Sequence, residues 1–528
     1  MDYDIVIFWL VLFSCLTGLV MTWLRLRLTA PGWLILYAAI LLLSISGWWW
    51  EQPAIVHAAA VMWLLLVVLP ALIVRLYNRR LMQQQYAAAR RLARILCCLH
   101  PADGLRELPK IVHALELAQR GELTAASAVL GQFQEVKSPT GLGAILCLYR
   151  ITSQWEELLA WQARHQQELE RQPQFLSILL RARGETGDVG GLVELYDRHR
   201  RQIGKLVPAA NRDMCRLMLF AFCGKRPAVE RLLAGSLAVV PASIRAFWLA
   251  TADLQAGDLE SARRQLEALQ AGADPLLERA ILWRLSRLSA PPGPLDASAE
   301  RVVEEAAREH GHEETFGRQP SLFSPRARAT QILIALNLFM FVVEECQDGG
   351  TNLGVLYRLG ALFPPAVQAG EWWRLITSLF LHFGVLHLAM NMFGLWFLGP
   401  FVEFALGFRR FTLVYLLAGI GSMAMVMALS SAADFESLTV GASGCIMGLV
   451  GATGSLMLRG WLREKALAAQ RRLALMVFIV SMEVLFDSVV PHVSMTAHLS
   501  GAVIGFVATL LSHDRLRAPA PQPSALKS

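Results

Sequence analysis

The chain has 528 residues, of which 55% are hydrophobic and only 17% are charged. This composition excludes an ordinary soluble protein and indicates segments that cross a membrane. The net charge of +7 would suit either nucleic-acid binding or cytoplasmic loops, and the positions of the basic residues favour the loops, so we predict no nucleic-acid partner.

Three apolar runs open the chain, at 1–28, 33–50 and 54–74. The first run starts with acidic residues, and Arg25 and Arg27 come after its apolar core. Because a secretory signal would carry its basic residues before the apolar core, we predict a retained membrane anchor. Residues 1–76 are therefore predicted to form an N-terminal membrane region with three spans.

Residues 77–324 are charged, mostly helical in pattern, and contain a weak internal repeat. Five segments align on a small residue that an apolar residue follows five positions later. The small residues are Gly121, Ser153, Gly187, Gly224 and Gly257, and the apolar residues are Ala126, Leu158, Leu192, Val229 and Ala262. A period of about 34 residues resembles a tetratricopeptide array, which predicts a helical domain that binds a peptide or a partner protein. An irregular helical domain is the alternative.

The remainder of the chain is again apolar. APPGP, from Ala290, predicts a linker. Six apolar runs follow, at about 329–345, 376–398, 411–430, 441–458, 473–490 and 495–512. Because about 20 residues cross a bilayer core, we predict a six-span domain at 325–513, a short basic tail at 514–528, and nine spans in total. The predicted fold class is all-α, a polytopic membrane helix bundle with a cytoplasmic helical-repeat domain.

The Lys and Arg residues predict the orientation in the membrane, because short cytoplasmic loops collect them. If the N-terminus lies outside, the nine predicted spans place most basic clusters on the inner side of the membrane. Arg358 and Arg374 are the exceptions. Residues 77–325 and the C-terminus are then cytoplasmic. We predict a multi-pass cell-membrane protein, in the style of a bacterial inner membrane.

The eight cysteines are scattered and form no C-x-x-C. They predict reduced, mostly buried thiols and neither a disulfide framework nor a zinc site. We predict no metal and no cofactor.

Candidate chemistry begins with VGASGCIMGLVGA, where Ser443 lies among glycines at the outer end of a predicted span. His498, in MTAHLSGAVIGF, lies at the outer end of another. Glycines four residues apart follow both side chains, and such faces let helices approach closely. Helix packing alone is the alternative for Ser443. The G-x-S-x-G elbow does not fit, because Cys445 occupies its last position.

A third polar group favours catalysis. His387 and Asn391 in GEWWRLITSLFLHFGVLHLAMNM are four residues apart, so they share one helix face in the same outer layer. Two side-chain donors that face a serine hydroxyl would form an oxyanion hole.

These three segments resemble the signature segments of the rhomboid intramembrane serine proteases, over about residues 325–513. The resemblance implies a six-span fold in which Ser443 is the nucleophile and His498 the general base, with no third acid. It implies that His387 and Asn391 are oxyanion donors and that His382 supports the outer loop. It assigns structural roles to Trp373, Arg374, Glu403, Gly441, Gly444, Gly501 and Gly505.

One position departs from the family pattern. Met447 stands four residues after the serine, where an aromatic ring often packs on the histidine. Glu483 and Asp487 are four residues apart in the fifth core span. For Glu483 a gate and a polar helix contact are both open, and Asp487 is expected at the outer boundary.

The predicted function is therefore an intramembrane serine endopeptidase. It would cleave the transmembrane segments of single-span membrane proteins near the outer face, in contact with the lipid bilayer, with the helical-repeat domain as an accessory. The alternative is a non-proteolytic rhomboid-like scaffold or adaptor.

Overall fold

The structure is a computed structural model. It describes residues 3–26, 31–100, 105–133, 139–206, 208–287, 295–317, 319–347, 350–429, 437–489, 494–512 and 514–516. The predicted linker at 290–294 and the tail from 517 onward lie outside the described residues, as do parts of two predicted outer loops, 430–436 and 490–493.

The chain divides by packing into two compact units, residues 2–306 and residues 307–528. Each unit is built from helices, as the predicted fold class requires. The division into four domains that the sequence suggested stays a prediction.

The first unit begins with apolar helices, α1 (Tyr3–Leu26), α2 (Pro31–Trp49), α3 (Pro53–Trp63) and α4 (Leu69–Met82). A π-helical segment, Leu64–Val68, joins the last two into one continuous apolar stretch, Pro53–Met82. This stretch is longer than the predicted run at 54–74, and it is long enough to cross a bilayer with residues to spare.

Shorter helices build the rest of the first unit. They are α5 (Tyr86–Leu99), α6 (Leu108–Gln119), α7 (Leu123–Gly131), α8 (Pro139–Thr152), α9 (Trp155–Arg164), α10 (Gln166–Glu170), α11 (Leu176–Glu185), α12 (Val189–Ile203), α13 (Ala209–Phe222), α14 (Arg226–Ala234), α15 (Ala242–Gln255), α16 (Leu259–Gln270) and α17 (Pro275–Leu285). Helix α18 (Ala297–Phe316) follows.

The internal repeat marks five helical hairpins in this unit. The small residue of each aligned segment lies in the turn with a positive φ, namely Gly121 (+88°), Ser153 (+59°), Gly187 (+82°), Gly224 (+66°) and Gly257 (+94°). The apolar residue five positions on is fully buried in all five hairpins. Glycine suits such turns because a β-carbon is strained there. The assignment of the section as a tetratricopeptide array stays a prediction.

The second unit contains α19 (Arg328–Glu345), α20 (Leu353–Leu359), α21 (Pro364–Gln368), α22 (Arg374–Thr377), α23 (Val385–Leu406), α24 (Phe408–Leu429), α25 (Ser443–Glu464), α26 (Leu467–Val489) and α27 (Met495–Leu511). An antiparallel bridge pairs Leu362 with Thr439. The buried core lies among α19, α23, α24, α25 and α27.

Within the described residues, five helices are long and apolar enough to cross a membrane. They are Gly32–Trp49, Pro53–Met82, Gly384–Leu406, Phe408–Leu429 and Ser443–Glu464. Two shorter apolar helices are Ile7–Val20 and Met495–Leu511. The protein is therefore a membrane protein with several spans, and the total of nine stays a prediction.

The second core span begins later than the sequence suggested. The apolar run at 376–398 predicted a helix from its start, but α23 begins only at Val385. Residues 374–380 form short helical turns instead, and Gly384 adopts a φ of +84°. This conformation interrupts a right-handed helix, and hydropathy alone does not detect the interruption.

Two sets of polar contacts hold the ends of core helices. The Glu403 carboxylate accepts hydrogen bonds from the backbone N–H groups of Ala329 (2.8 Å) and Thr330 (2.9 Å), so it caps α19 from another helix. The Arg459 guanidinium donates to the carbonyl oxygens of Ser512 (2.8 Å) and Thr509 (3.0 Å), at the end of α27. The capped helices thus have satisfied ends inside the unit.

Candidate active site

Ser443 is the first residue of α25, and the backbone before it is fixed on both sides. The Leu362–Thr439 bridge has both N–O distances at 3.0 Å, and the Gly441 N–H donates to the Ser378 carbonyl at 2.9 Å. Gly441 has a φ of +125°. Because an L side chain rarely adopts this conformation, the turn that leads into the serine requires glycine.

His387 faces this turn with one defined ring nitrogen. A β-carbon added at Gly441 would lie 2.7 Å from Cε1 and 2.8 Å from Nε2 of His387. The other nitrogen, Nδ1, accepts a hydrogen bond from the Phe383 N–H at 3.3 Å. In a neutral imidazole the proton then resides on Nε2, so His387 presents an N–H donor toward the turn.

Asn391 lies one helical turn further along α23 and is buried. Its Nδ2 donates to the His387 carbonyl at 3.0 Å and lies 3.9 Å from the β-carbon position of Gly441. An amide has two N–H groups, so one remains for another acceptor. The structure thus brings both predicted donors to the segment before Ser443.

Helices α25 and α27 meet through their glycines. A β-carbon added at Gly501 would overlap the carbonyl oxygen of Gly444, and one added at Gly505 would overlap that of Gly448. Backbone therefore packs directly on backbone, as small residues allow. The Gly444 position also lies 3.6 Å from the Ala497 carbonyl oxygen. Ser443 and His498 are the chain neighbours of these two residues, so the contact brings the two side chains to the same level.

His498 is buried, and its Nδ1 faces two carboxylates of α26. The distances are 2.9 and 3.1 Å to the Asp487 oxygens and 3.1 Å to Glu483 Oε1. Ionised carboxylates only accept hydrogen bonds, so Nδ1 carries a proton, and in a neutral ring Nε2 is then the nitrogen that has the lone pair. Sequence reasoning did not link either acid to His498, although their four-residue spacing places both on one helix face.

The same three groups have the donor set of a metal site. One ligand atom each from Glu483, Asp487 and His498 lies within 4.8 Å of the others. Carboxylate and imidazole ligands suit divalent transition metals. The sequence predicted no metal, and this stays a prediction.

His382 lies behind His387. Its ring is fully buried and meets the His387 ring edge-on, with centroids 5.3 Å apart. Its backbone N–H donates to the buried Glu344 carboxylate at 3.1 Å. This backbone hydrogen bond holds the corner that precedes α23, and the supporting role of the His382 side chain stays a prediction.

Trp373 and Arg374 lie in the segment between α19 and α23. Arg374 is buried: it pairs with Glu371 at 2.6 Å and donates to the carbonyl oxygens of Tyr357 (2.7 Å) and Ala361 (2.9 Å). Trp373 is exposed. Arg374 thus joins α20 to α22 as a buried, paired charge.

Met447 and Cys445, which follow Ser443 in α25, belong to the core. Met447 and Cys445 are both buried in the cluster that α25 contributes to. Cys445 packs against Gly419 of α24 as a small apolar side chain.

Comparison with known proteins places this site inside a family domain. The rhomboid domain model matches residues 369–515. Rhomboid protease GluP of Bacillus subtilis is 36% identical over 180 residues, which are 34% of this chain and 34% of that protein. RHOMBOID-like protein 6, mitochondrial, of Arabidopsis thaliana is 37% identical over 158 residues, 30% of this chain and 49% of that protein. The chain thus spans a third to a half of the length of these relatives.

A smaller relative is covered more fully. Putative rhomboid protease YdcA of Bacillus subtilis is 34% identical over 156 residues, which are 29% of this chain and 71% of that protein. The matched domain contains His387, Asn391, Ser443 and His498. This chain belongs to the rhomboid family.

Proposed function

We propose that the protein is an intramembrane serine endopeptidase in which Ser443 is the nucleophile and His498 the general base. One observation carries the proposal. The His498 Nδ1 is engaged by carboxylates, so Nε2 is the proton acceptor in a neutral ring. The chain neighbours of the two residues, Gly444 and Ala497, pack against each other, with the Gly444 β-carbon position 3.6 Å from the Ala497 carbonyl oxygen. Two of the relatives are named as rhomboid proteases, one of them putatively.

The reaction proceeds as acyl transfer. The Ser443 hydroxyl gives its proton to His498 Nε2 as Oγ attacks the scissile carbonyl carbon. His498 then gives that proton to the leaving amine, and the peptide bond breaks to leave an acyl-serine. Water, activated by the same imidazole, releases the acid product and restores the serine.

The negative charge on the carbonyl oxygen would be stabilised by His387 Nε2–H, by the free Asn391 amide N–H and by the Ser443 backbone N–H. The first two groups converge on the Gly441 turn, and the third is one of the unpaired donors at the start of α25. Preorganised donors of this kind are worth about 10²–10³ in rate each.

The Gly441→Ala variant tests this geometry. We expect a loss of activity of about 100-fold or more, because the new methyl group would occupy the space of the His387 ring. The measurement is kcat in a cleavage assay with purified protein in detergent. Gly370→Ala is the matched control: Gly370 also has a positive φ, +107°, but nothing lies within 4 Å of its β-carbon position. Equal losses in both variants would contradict the role of the His387 contact.

The substrates would be single-span membrane proteins whose outer helical turns unwind readily. A helix ties up the carbonyl that the serine must attack, so Gly, Pro or polar residues near the cut would favour cleavage. The site would lie near the outer face, where water reaches the acyl-enzyme. The orientation follows the basic loops: N-terminus outside, residues 77–325 and the C-terminus cytoplasmic, in a bacterial inner membrane.

The five hairpins of the first unit would bind a peptide or protein partner. Tandem helical hairpins offer an extended surface for such partners. A pull-down with the full-length protein and with a variant that lacks residues 105–285 would identify proteins that depend on this section.

A fluorophosphonate probe tests the proposed function directly. We expect the probe to label the purified protein at Ser443, mapped by peptide mass spectrometry, and to abolish cleavage of a fluorescent single-span substrate with a Gly- and Pro-containing outer turn. Labelled protein that still cleaves, or active protein without a label at Ser443, would reject the proposal. Absence of both label and cleavage would favour the scaffold.

A further inference from the structure

The α26 face of His498 is the least expected part of the site. Asp487 presents both carboxylate oxygens to Nδ1, at 2.9 and 3.1 Å. Glu483 reaches the same nitrogen from one turn away, at 3.1 Å. The Asp487 side chain is 1% exposed, whereas the Glu483 side chain is 32% exposed. Of the two, Asp487 makes the shorter and more deeply buried contact.

We propose that Asp487 is a positioning residue for the reaction. It holds the His498 ring so that Nδ1 carries the proton and Nε2 faces Ser443. The working unit is then Ser443, His498 and Asp487, in place of the two-residue unit expected from the sequence. This inference rests on the proposed function, because it assigns the acid a task in that reaction.

The Asp487 carboxylate would stabilise His498 electrostatically during the reaction. A buried carboxylate is costly unless it is hydrogen-bonded, and Nδ1–H supplies that bond. When His498 takes the serine proton, the new imidazolium lies directly against a negative charge. In hydrolases with a triad, an acid in this place fixes the tautomer and stabilises the imidazolium without itself gaining a proton.

The other neighbours of the ring do not supply this function. His387, on α23, is another titratable group that interacts electrostatically with His498, and its Nδ1 accepts a hydrogen bond from the Phe383 N–H. Met447, at the position where the family pattern has an aromatic ring, belongs to the apolar core. A thioether holds an imidazole weakly, so the carboxylate takes over the orientation of the ring.

The Asp487→Asn variant tests the proposal in the full-length protein. Asparagine has almost the same shape but cannot both accept from Nδ1–H and carry the charge. We expect kcat to fall about tenfold or more, with KM within about twofold and the rate of fluorophosphonate labelling reduced in parallel. Ser488→Ala is the control: Ser488 is exposed on the same helix, and its hydroxyl donates to the Leu485 carbonyl in its own turn. An Asp487→Asn variant as active as wild type would overturn the proposal.

A second pair keeps the test decisive if Asp487→Asn does not fold. Asp487→Glu and Asp487→Gln have equal size and differ in charge. We expect the Glu variant to be several-fold more active than the Gln variant, because the carboxylate restores the contact; equal activities would overturn the proposal.

All assays contain EDTA. Wild-type activity that disappears in EDTA would show that the three groups act through a metal, and would also overturn it.

Failure of this inference is distinct from failure of the proposed function. An inactive wild-type protein that the probe does not label would reject the protease itself. An active, labelled wild type with fully active Asp487 variants would leave the protease intact and remove only the positioning role.

Discussion

The Ser443→Ala variant is expected to cleave no faster than the buffer blank, a loss of about 10⁴-fold or more in kcat. Without the hydroxyl no acyl-enzyme forms, and the oxyanion donors alone accelerate peptide hydrolysis too little to detect. The measurement is cleavage of the fluorescent single-span substrate, with thermal unfolding of each variant recorded in the same detergent. Ser443 is half-buried and its hydroxyl is not part of the core, so the variant should fold.

A double variant sharpens this result. Ser443 and His498 act as one unit in the proposed reaction, so Ser443→Ala, His498→Ala and the double variant should be equally inactive. Losses that multiply would mean that the two side chains act independently. A Ser443→Ala variant that retains wild-type cleavage would remove the basis for the protease.

The Gly501→Ala variant should affect both stability and activity. Its methyl group would overlap the Gly444 carbonyl oxygen, and neither helix backbone can move locally to relieve the overlap. We expect the free energy of unfolding to fall by about 3 kcal/mol. We expect kcat to fall about 100-fold, because separation of the helices by 1 Å misplaces Ser443 relative to His498. Denaturation in detergent and the cleavage assay measure the two effects.

Gly454→Ala is the matched control on the same pair of helices. The nearest atom to its β-carbon position is Phe506 Cδ2 at 3.8 Å, an ordinary contact. This variant should keep stability and activity, and alanine even favours the helix. If Gly501→Ala behaves like Gly454→Ala, the close approach of α25 and α27 does not control the site.

Local patterns in the sequence predicted a large part of the architecture. The repeated small residue, such as Gly121 or Gly257, marks a turn with positive φ because few other residues tolerate that conformation. The G-x-x-x-G spacings at Gly444 and Gly501 marked the surfaces where backbones touch. In each case one residue's own chemistry dictates its local structure.

The sequence could not predict contacts that depend on how helices are placed. Asp487 and His498 lie on different helices, and nothing in either helix alone shows that their side chains meet. The bond from the His382 N–H to Glu344 spans 38 residues and depends on the turn that delays the start of α23. Apolar periodicity reports burial and says little about which buried polar groups become partners.

The hydrogen bonds of Arg459 to the end of α27 affect how a substrate would reach Ser443. Arg459, near the C-terminal end of α25, grips the last carbonyl oxygens of α27, while the glycine contacts lock the opposite ends of the same two helices together. If the two helices slid or separated, the Arg459 hydrogen bonds at one end and the glycine packing at the other would both be lost. Ser443 and His498 therefore lie on a helix pair that is held at both ends. In the proposed reaction, entry of a substrate helix would have to displace other helices of the bundle.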